Sequence, residues 1–549
     1  MSKTEEENQS DQQLQGPQTS RRLQDDETDY PSTKVVIPAM LAIWLAFFVV
    51  ALDRTIIGTA VPTITQQFNS FGDIAWYEAG FLLPFCVLQL SFGRIYQYYS
   101  TKWAMIINIF IFEMGSIVCA TAPNSNALIV GRVITGIGGA GVTPGAFLLI
   151  TFLVPVKDRP KYIGSLGSVF GITSILGPIL GGYLTAASWR WCFYLNLPVG
   201  GVSMVLITWL TPKTTPPVKR SSTWKGKFFE LDPFGFLLIG TSIICLLLAI
   251  QFGGKEYSWS SGVVISLFVI SGVFGAVFVG FSIWRGEKGT LPPSIMSQRS
   301  VLFGAIASIG IGSVLVLFAF YLPIWFQVIQ DKSPESSGLS LIPLLLSVVI
   351  AVISSGIFAS VVGYYVPALI LGACFSMLGA GLITTWSATV DQGQWIGFQI
   401  ITGIGLGLTL QGPNIAAQTV LSKQEVSVGL SIISLANFLG STIFVTVAQA
   451  LLQNRLVAEL GPLLPGVDLR KIANSGAAFL RGATAPEMLP AVLGAYNNAL
   501  RGVWYLALGL SGLVLLASFG IEWKNVKGDK ANNVDTSIEE AEIESSDRL

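Results

Sequence analysis

Long apolar runs recur along the chain with short polar breaks between them, and most are at least about eighteen residues long. A helix rising about 1.5 Å per residue crosses roughly 30 Å of hydrocarbon in one such run. Backbone N–H and C=O groups in lipid must be satisfied internally, and runs of this length predict helices rather than the short strands of a barrel. Fourteen spans are predicted, at 37–60, 78–97, 103–122, 127–152, 161–184, 192–211, 233–252, 262–284, 300–327, 338–360, 365–386, 395–420, 428–452 and 502–522. The fold class is therefore an all-α integral membrane protein.

One stretch within this series repeats. "ITGIGGAGVTPG" begins at Ile134 in the fourth span and "ITGIGLGLTLQGP" at Ile401 in the twelfth. Aligning them matches spans one to six with nine to fourteen and leaves spans seven and eight as an insertion. The chain divides into a tail (1–34), a six-helix bundle (35–211), a loop (212–231), two inserted helices (232–284), a loop (285–298), a second six-helix bundle (299–522) with a long loop at 454–501, and a second tail (523–549). Repeated halves are a transporter architecture, with the substrate held near the membrane midplane between them. Gly136, Gly138 and Gly141 in the first copy, and Gly403 and Gly405 in the second, are small residues that let helix backbones approach closely. "GIGGAG" also satisfies the dinucleotide fingerprint, but that motif needs a strand, a tight turn and a helix start, which a membrane span does not offer.

Composition adds exclusions. Hydrophobic residues make up 52% of the chain and charged ones 12%, against roughly 25% charged in soluble domains. Histidine is absent, which removes histidine bases and the usual zinc and iron sites. Cys86, Cys119, Cys192, Cys245 and Cys374 all fall inside spans and read as small apolar residues. No metal and no cofactor are expected, and a formal charge of zero implies no nucleic-acid partner. No G-x-x-x-x-G-K-[ST] sequence occurs, which leaves an ion gradient as the energy source for uphill movement.

Basic residues orient the spans. With the tails inside, the short inner loops hold fourteen Lys and Arg, whereas the short outer loops hold only Arg190, Lys255 and Lys332. Both tails are thus expected in the cytoplasm. The tails are acidic, poor in apolar residues and expected to be disordered. The first span is too long for a cleavable signal and reads as a retained anchor. In the 454–501 segment, "VDLRKIANSGAAFLRG" and "MLPAVLGAYNNAL" have the apolar spacing of short surface helices.

Charges inside a span cost at least about 2.5 to 3.5 kcal/mol, so each is a functional candidate. Asp53 lies about sixteen residues from the inner end of span one, roughly 24 Å up. Arg132 lies about six residues from the outer end of span four, at roughly 21 Å. The two are expected to face each other, either as a proton-exchanging site or as a permanent ion pair joining the helices. Glu113, near the middle of span three, is the other candidate proton carrier, or an acid that binds cationic substrates. Arg54 points about 100° away from Asp53 and is expected to snorkel toward the outer headgroups. Gln399 stands in span twelve where the repeat places Arg132, which confines charged machinery to the first half. The second half offers Tyr321, Trp325, Gln327, Gln411, Asn414 and Asn437, suited to a cavity of mixed apolar and hydrogen-bonding character. Such a cavity favours amphipathic organic molecules over sugars or phosphates.

Several motifs in order carry a family resemblance over essentially the whole chain. "LDRTIIGTAVPTI" in span one resembles the signature L-D-x-T-I-x-x-x-A-x-P-x-I, and "LIVGRVITGIGGA" in span four resembles l-x-x-x-R-x-x-q-G-x-g-a-A, with Thr135 at the usual glutamine. "GSLGSVFGITSILGPILGG" in span five resembles the antiporter motif, matching at Gly164, Gly177, Pro178, Gly181 and Gly182, with Thr173 at one of its glycines. The chain thus resembles the fourteen-helix drug:proton antiporters of the major facilitator superfamily, of the fungal multidrug and toxin efflux type.

That resemblance implies a non-enzymatic transporter. It implies export of small hydrophobic or amphipathic organic compounds by alternating access, driven by the proton gradient. It further implies a lipid-embedded monomer in the plasma membrane, with the vacuolar membrane as the alternative. An importer of amino acids or siderophores, or a non-transporting membrane sensor, are the other readings open to such a scaffold. One loop departs from the family: "GRIYQYYSTKW" keeps Gly93 but has Gln97 at the acid and Ser100 at the second glycine of G-x-L-a-D-r-x-G-r-r. Arg94 and Lys102 are expected to rebuild the cytoplasmic latch that this loop supplies.

Overall fold

A computed structural model describes residues 30–70, 73–212, 229–253, 257–461 and 488–527, together with Thr214 and Gly226. Every predicted span is helical there. In chain order the long helices are α1 (Thr33–Phe68), α2 (Ile74–Tyr98), α3 (Thr101–Ala120), α4 (Ser125–Leu153), α5 (Arg159–Ala187) and α6 (Trp191–Leu210). Then come α7 (Pro233–Phe252), α8 (Gly262–Arg285), α9 (Arg299–Val328), α10 (Ile342–Val362), α11 (Val366–Ile383), α12 (Gln392–Leu410, continued by Gly412–Val420), α13 (Val426–Leu460) and α14 (Leu489–Gly520). Among the described residues twelve helices are long and apolar enough to cross a membrane, or thirteen when the two arms of α5 count as one span. The predicted span at 395–420 is the less apolar, interrupted helix α12.

The helix ends correct one expectation. "MLPAVLGAYNNAL" is not a separate surface helix: all but its first residue form the opening turns of α14, where Val492, Ala495, Tyr496, Ala499 and Leu500 bury against the second half. The apolar face that suggested a surface helix is satisfied by the bundle instead of the interface. The sequence "VDLRKIANSGAAFLRG", most of the 212–231 loop and nearly all of both tails lie outside the described residues.

Three contacts show that the chain enters α1 and leaves α14 at one end of the bundle. Trp44 in α1 donates to the Ser165 carbonyl near the start of α5 (2.7 Å). The start of α5 meets the end of α10 at Pro160 and Gly356. The end of α10 meets the chain beyond α14, where the Val526 N–H donates to the Gly363 carbonyl (2.8 Å). This is called the tail end below. Exposed tryptophans mark both ends, with Trp103, Trp209, Trp284 and Trp523 toward the tail end and Trp191 and Trp259 toward the far end, as expected of rings seated at headgroup level.

The internal repeat is visible in packing. A Cβ added at Gly138 in α4 falls 2.4 Å from the backbone nitrogen of Phe112 in α3, and one at Gly405 in α12 falls 2.1 Å from that of Ser376 in α11. Likewise Gly136 sits 2.3 Å from the Phe81 carbonyl of α2, and Gly403 sits 2.4 Å from the Leu344 carbonyl of α10, by the same measure. The matched glycines thus pack against matched helices, backbone on backbone. Gly141 lies against the Asn108 side chain in the same seam.

The inserted pair stands outside the halves. Helix α7 packs on α2 through Gly240 and Val87, and α8 is tied to α7 by reciprocal bonds between the Ser242 and Ser271 hydroxyls and carbonyls, 2.9 Å each. The rest of α8 presents Val269, Val273, Val277 and Ile283 outward. Helix α5 bends by 42° at Ser174–Leu176. Pro178 has no N–H for the Ser174 carbonyl, which accounts for the bend.

Replacing Gly138 by Val is expected to cost about 1 to 3 kcal/mol of stability, read as a lower thermal unfolding midpoint of the detergent-solubilised protein, since the neighbour is backbone and cannot move aside. Nothing lies within 4 Å of a Cβ at Gly182, and Gly182→Ala is expected to leave the midpoint unchanged. Equal shifts in a fluorescence melt would overturn the packing argument.

Candidate functional site

The first half contains a buried polar cluster built from five helices. Asp53 on α1 is fully buried and accepts from Arg132 Nη1 of α4, forming a buried ion pair. Its other oxygen accepts from Asn196 Nδ2 of α6 (3.3 Å). Arg132 is held by its own donation from Nε to the Tyr77 carbonyl (2.9 Å), and its guanidinium lies 4.8 Å from the Phe81 ring centre. Asn196 Nδ2 also donates to Ser116 Oγ of α3 (3.2 Å). Removing two charges from water costs several kcal/mol each, and such a pair holds only where geometry and extra hydrogen bonds compensate. Here the Tyr77 carbonyl and the Asn196 amide supply those bonds.

Glu113 lies one helical turn from Ser116 on α3, 5% exposed, and among the described residues neither of its carboxyl oxygens has a hydrogen-bond partner. Its place is made by Gly200, one turn from Asn196 on α6, where a Cβ would fall 1.7 Å from Glu113 Oε1. Asn196 escaped the sequence reading. Its one signal is an amide inside the apolar run "FYLNLPVGG", which says nothing about the helix it faces.

A second region lies between the halves. A cavity of about 100 Å³ is walled by Phe47, Arg54, Thr143, Phe147 and Phe170 from the first half. Ser308, Gln411, Asn414, Ser434, Asn437 and Phe438 are among its walls from the second. Arg54 therefore does not snorkel to the headgroups. The turn of about 100° that separates it from Asp53 carries it off the lipid side and into the space between the halves. Its guanidinium lies 4.6 Å from the Phe438 ring centre and 5.8 Å from that of Phe85. The two rings meet edge to face at 4.6 Å across the halves.

Of the six predicted cavity residues, Gln411, Asn414 and Asn437 line this space, and Asn414 Nδ2 donates to Gln411 Oε1 (2.9 Å). The other three are elsewhere. Tyr321 is buried with its hydroxyl donating to the Val445 carbonyl (3.2 Å), and Trp325 donates to Asn497 Oδ1 (2.8 Å) against Trp386. Gln327 donates to Ser337 Oγ (3.2 Å). Their types suited a cavity, but their helix faces turn to the core of the second half. A separate cleft of about 310 Å³ opens between α7, α8 and α13, lined by Leu246, Ile250, Trp259, Phe268, Ile443 and Val447 among others. Its apolar walls match lipid rather than a site with chemistry.

The glycine motif of α5 divides by partner. Cβ atoms at Gly177 and Gly181 would fall 2.2 Å from the hydroxyls of Thr55 and Thr59, so these glycines seat α5 on α1. Thr173 keeps that contact through its carbonyl, which accepts from Thr55 Oγ1 (3.0 Å). Gly164, nearer the tail end, faces α10 across the halves at Val352 and Gly356, while Pro178 and Gly182 are exposed.

The departing motif begins within the last turns of α2, which hold Gly93, Arg94 and Gln97, and it ties that helix to the second half. Arg94 donates to Gln97 Oε1 (2.8 Å) and to the Glu287 carbonyl (2.9 Å), and Gln97 Nε2 donates to the Gln424 carbonyl before α13 (2.8 Å). The amide at the acid's place is thus part of the clasp. Lys102 is not: its ammonium donates to the Thr208 and Thr211 carbonyls at the end of α6 (2.7 Å each), within its own half.

Comparison with known proteins adds the following. The profile described as Major Facilitator Superfamily matches residues 43–445. An MFS-type efflux pump of Arthroderma benhamiae is 43% identical over 508 residues, 91% of this chain and 95% of that one. A rubrofusarin-specific efflux pump of Gibberella zeae is 42% identical, covering 92% of each. An efflux pump of Aspergillus parasiticus is 41% identical, covering 89% of this chain and 96% of that one. In fold, the chain is similar to the human organic anion transporter MFSD10 (TM-score 0.55, 14% identity, 87% and 99% covered). It is similarly close to the proton:xylose symporter XylE (TM-score 0.55, 12% identity, 90% and 99% covered).

Asp53→Asn leaves Arg132 buried without a counter-charge and is expected to cost about 3 to 5 kcal/mol of stability. Asp53→Asn with Arg132→Met removes both charges and is expected to restore more than half of that loss in the same unfolding assay. A double variant no more stable than the single one would show that the pair is not the source.

Proposed function

The chain belongs to the major facilitator superfamily, and we propose that it is a proton-coupled exporter of small hydrophobic or amphipathic organic compounds. The observation that carries the reading is the central cavity, walled from both repeated halves and mixed in character, where a two-half transporter holds its substrate. Export as the direction rests on the efflux pumps that cover about nine-tenths of the chain at over 40% identity. We count fourteen spans by including α12, and place both tails in the cytoplasm on the distribution of Lys and Arg. The plasma membrane is the proposed site and a monomer the proposed unit.

The contacts between halves support an alternating-access cycle. At the tail end α5 and α10 touch through Gly164 and Gly356, and α2 meets α13 where Gly93 faces Ser431. The Arg94–Gln97 clasp lies at the same end. Toward the far end, Pro178, Ile179, Gly182 and Tyr183 of α5 are exposed. This arrangement supports a state closed to the cytoplasm, and the cycle opens the tail end by rocking the halves apart. The glycines of α5 keep α1 and α5 moving as one body.

Proton coupling is assigned to the first half. Arg132 already compensates Asp53, so we assign the travelling proton to Glu113, whose carboxyl is buried with no partner beside that pair. Asn196 and Ser116 bridge from Asp53 toward it. No cofactor is needed beyond the gradient, in which each charge crossing 100 mV contributes about 2.3 kcal/mol.

Inside-out vesicles with an acidic lumen provide the test. Wild type is expected to accumulate members of a panel of fluorescent amphipathic compounds, and to lose this when the gradient is collapsed. Glu113→Gln is expected to abolish gradient-driven accumulation, by at least about tenfold, while keeping substrate exchange down its own gradient. Accumulation that ignores the gradient would refute proton antiport.

A further inference from the structure

We propose that Arg54 is the recognition group for an anionic aromatic substrate, a planar ring system bearing a carboxylate or an ionised phenol. The inference deepens the exporter reading and rests on it, because it names the substrate class of the same cavity.

The first argument is charge without a partner. Among the described residues no carboxylate pairs with Arg54 and no hydrogen bond engages it; Asp53, its neighbour in sequence, is taken by Arg132. A guanidinium carries five N–H donors in a planar fork that matches a carboxylate. At membrane depth such a group is costly to leave bare. The Phe438 and Phe85 rings offset part of that cost, but their faces fill no donor.

The second argument is the rest of the wall. Among the described residues no Asp or Glu lines the cavity and Arg54 is its one formal charge, so a cationic amphipath meets repulsion there. Phe47, Phe147, Phe170 and Phe438 offer flat apolar surface for a fused ring. On the opposite half the amides of Asn414 and Asn437 line the wall. A primary amide both donates and accepts, and it meets a hydroxyl on the substrate with a hydrogen bond. The three features select one shape of molecule: acidic at one end, aromatic in the middle, with a hydroxyl or amide donor toward the second half.

The placement also gives coupling a route. Asp53 and Arg54 are consecutive on α1, one facing the polar cluster beside Glu113 and the other facing the cavity. A substrate drawn onto Arg54 and a proton taken at the cluster therefore act on the same helix.

Purified full-length protein in lipid nanodiscs is titrated with three matched fluorophores, pyrenebutyrate, its neutral amide and pyrenebutylamine. Wild type is expected to bind the carboxylate at least about tenfold more tightly than the amide or the amine. Arg54→Gln is expected to erase that preference and Arg54→Lys to keep part of it. Asn414→Asp, which adds a carboxylate to the opposite wall, is expected to weaken pyrenebutyrate without weakening the amine. An unaltered preference in Arg54→Gln, or a wild-type preference for the amine, overturns the proposal. Inside-out vesicles separate the two readings. A preference for pyrenebutyrate that depends on Arg54, without uptake of any fluorophore, leaves the anion site standing and the exporter reading refuted. Gradient-driven uptake of all three, indifferent to Arg54→Gln, does the reverse.

Discussion

The buried pair between Asp53 and Arg132 governs the arrangement of the first half. Neither charge can face lipid, so α1 and α4 must present these residues to each other at one depth, and α6 and α2 must bring Asn196 and the Tyr77 carbonyl to complete them. A pair so placed orients four helices at once. It also consumes Asp53, and the arginine beside it on α1 is left to the cavity with the Phe85 and Phe438 rings beside it. A single helix therefore carries one charge that is compensated and one that is not, on faces about 100° apart.

Around this cluster the packing is set by small residues rather than by hydrophobic force. Lipid tails are as apolar as leucine, so helices associate through close contact and internal hydrogen bonds. The repeat places Gly136 and Gly138 in α4, and Gly403 and Gly405 in α12, against backbone of the equivalent neighbours. Between halves the near contacts gather toward the tail end, through Gly164, Gly356 and Gly93 and through the Gln97 amide on the Gln424 carbonyl.

Much of this was legible from the chain, and the limits follow a rule. Depth is a one-dimensional quantity, counted in residues from the end of a span, and it placed Asp53 level with Arg132. Facing is not. The amides Gln411, Asn414 and Asn437 reached the cavity while Tyr321, Trp325 and Gln327, of equally suitable types, turned into the core of the second half. Asn196 carried no signal beyond being polar in an apolar run. Gln97 looked like the loss of a latch, yet its amide reaches the Gln424 carbonyl.

By itself the sequence determined the membrane class, the helical spans, the repeat and the charges worth examining, because length, hydropathy and the scarcity of ionisable groups are fixed by residue order. Only the tertiary structure decided which partners those charges take. A helix in a bundle buried on most sides shows little amphipathic bias, and the rotation of α1 that sends Asp53 inward and Arg54 into the cavity is set by the helices packed around it.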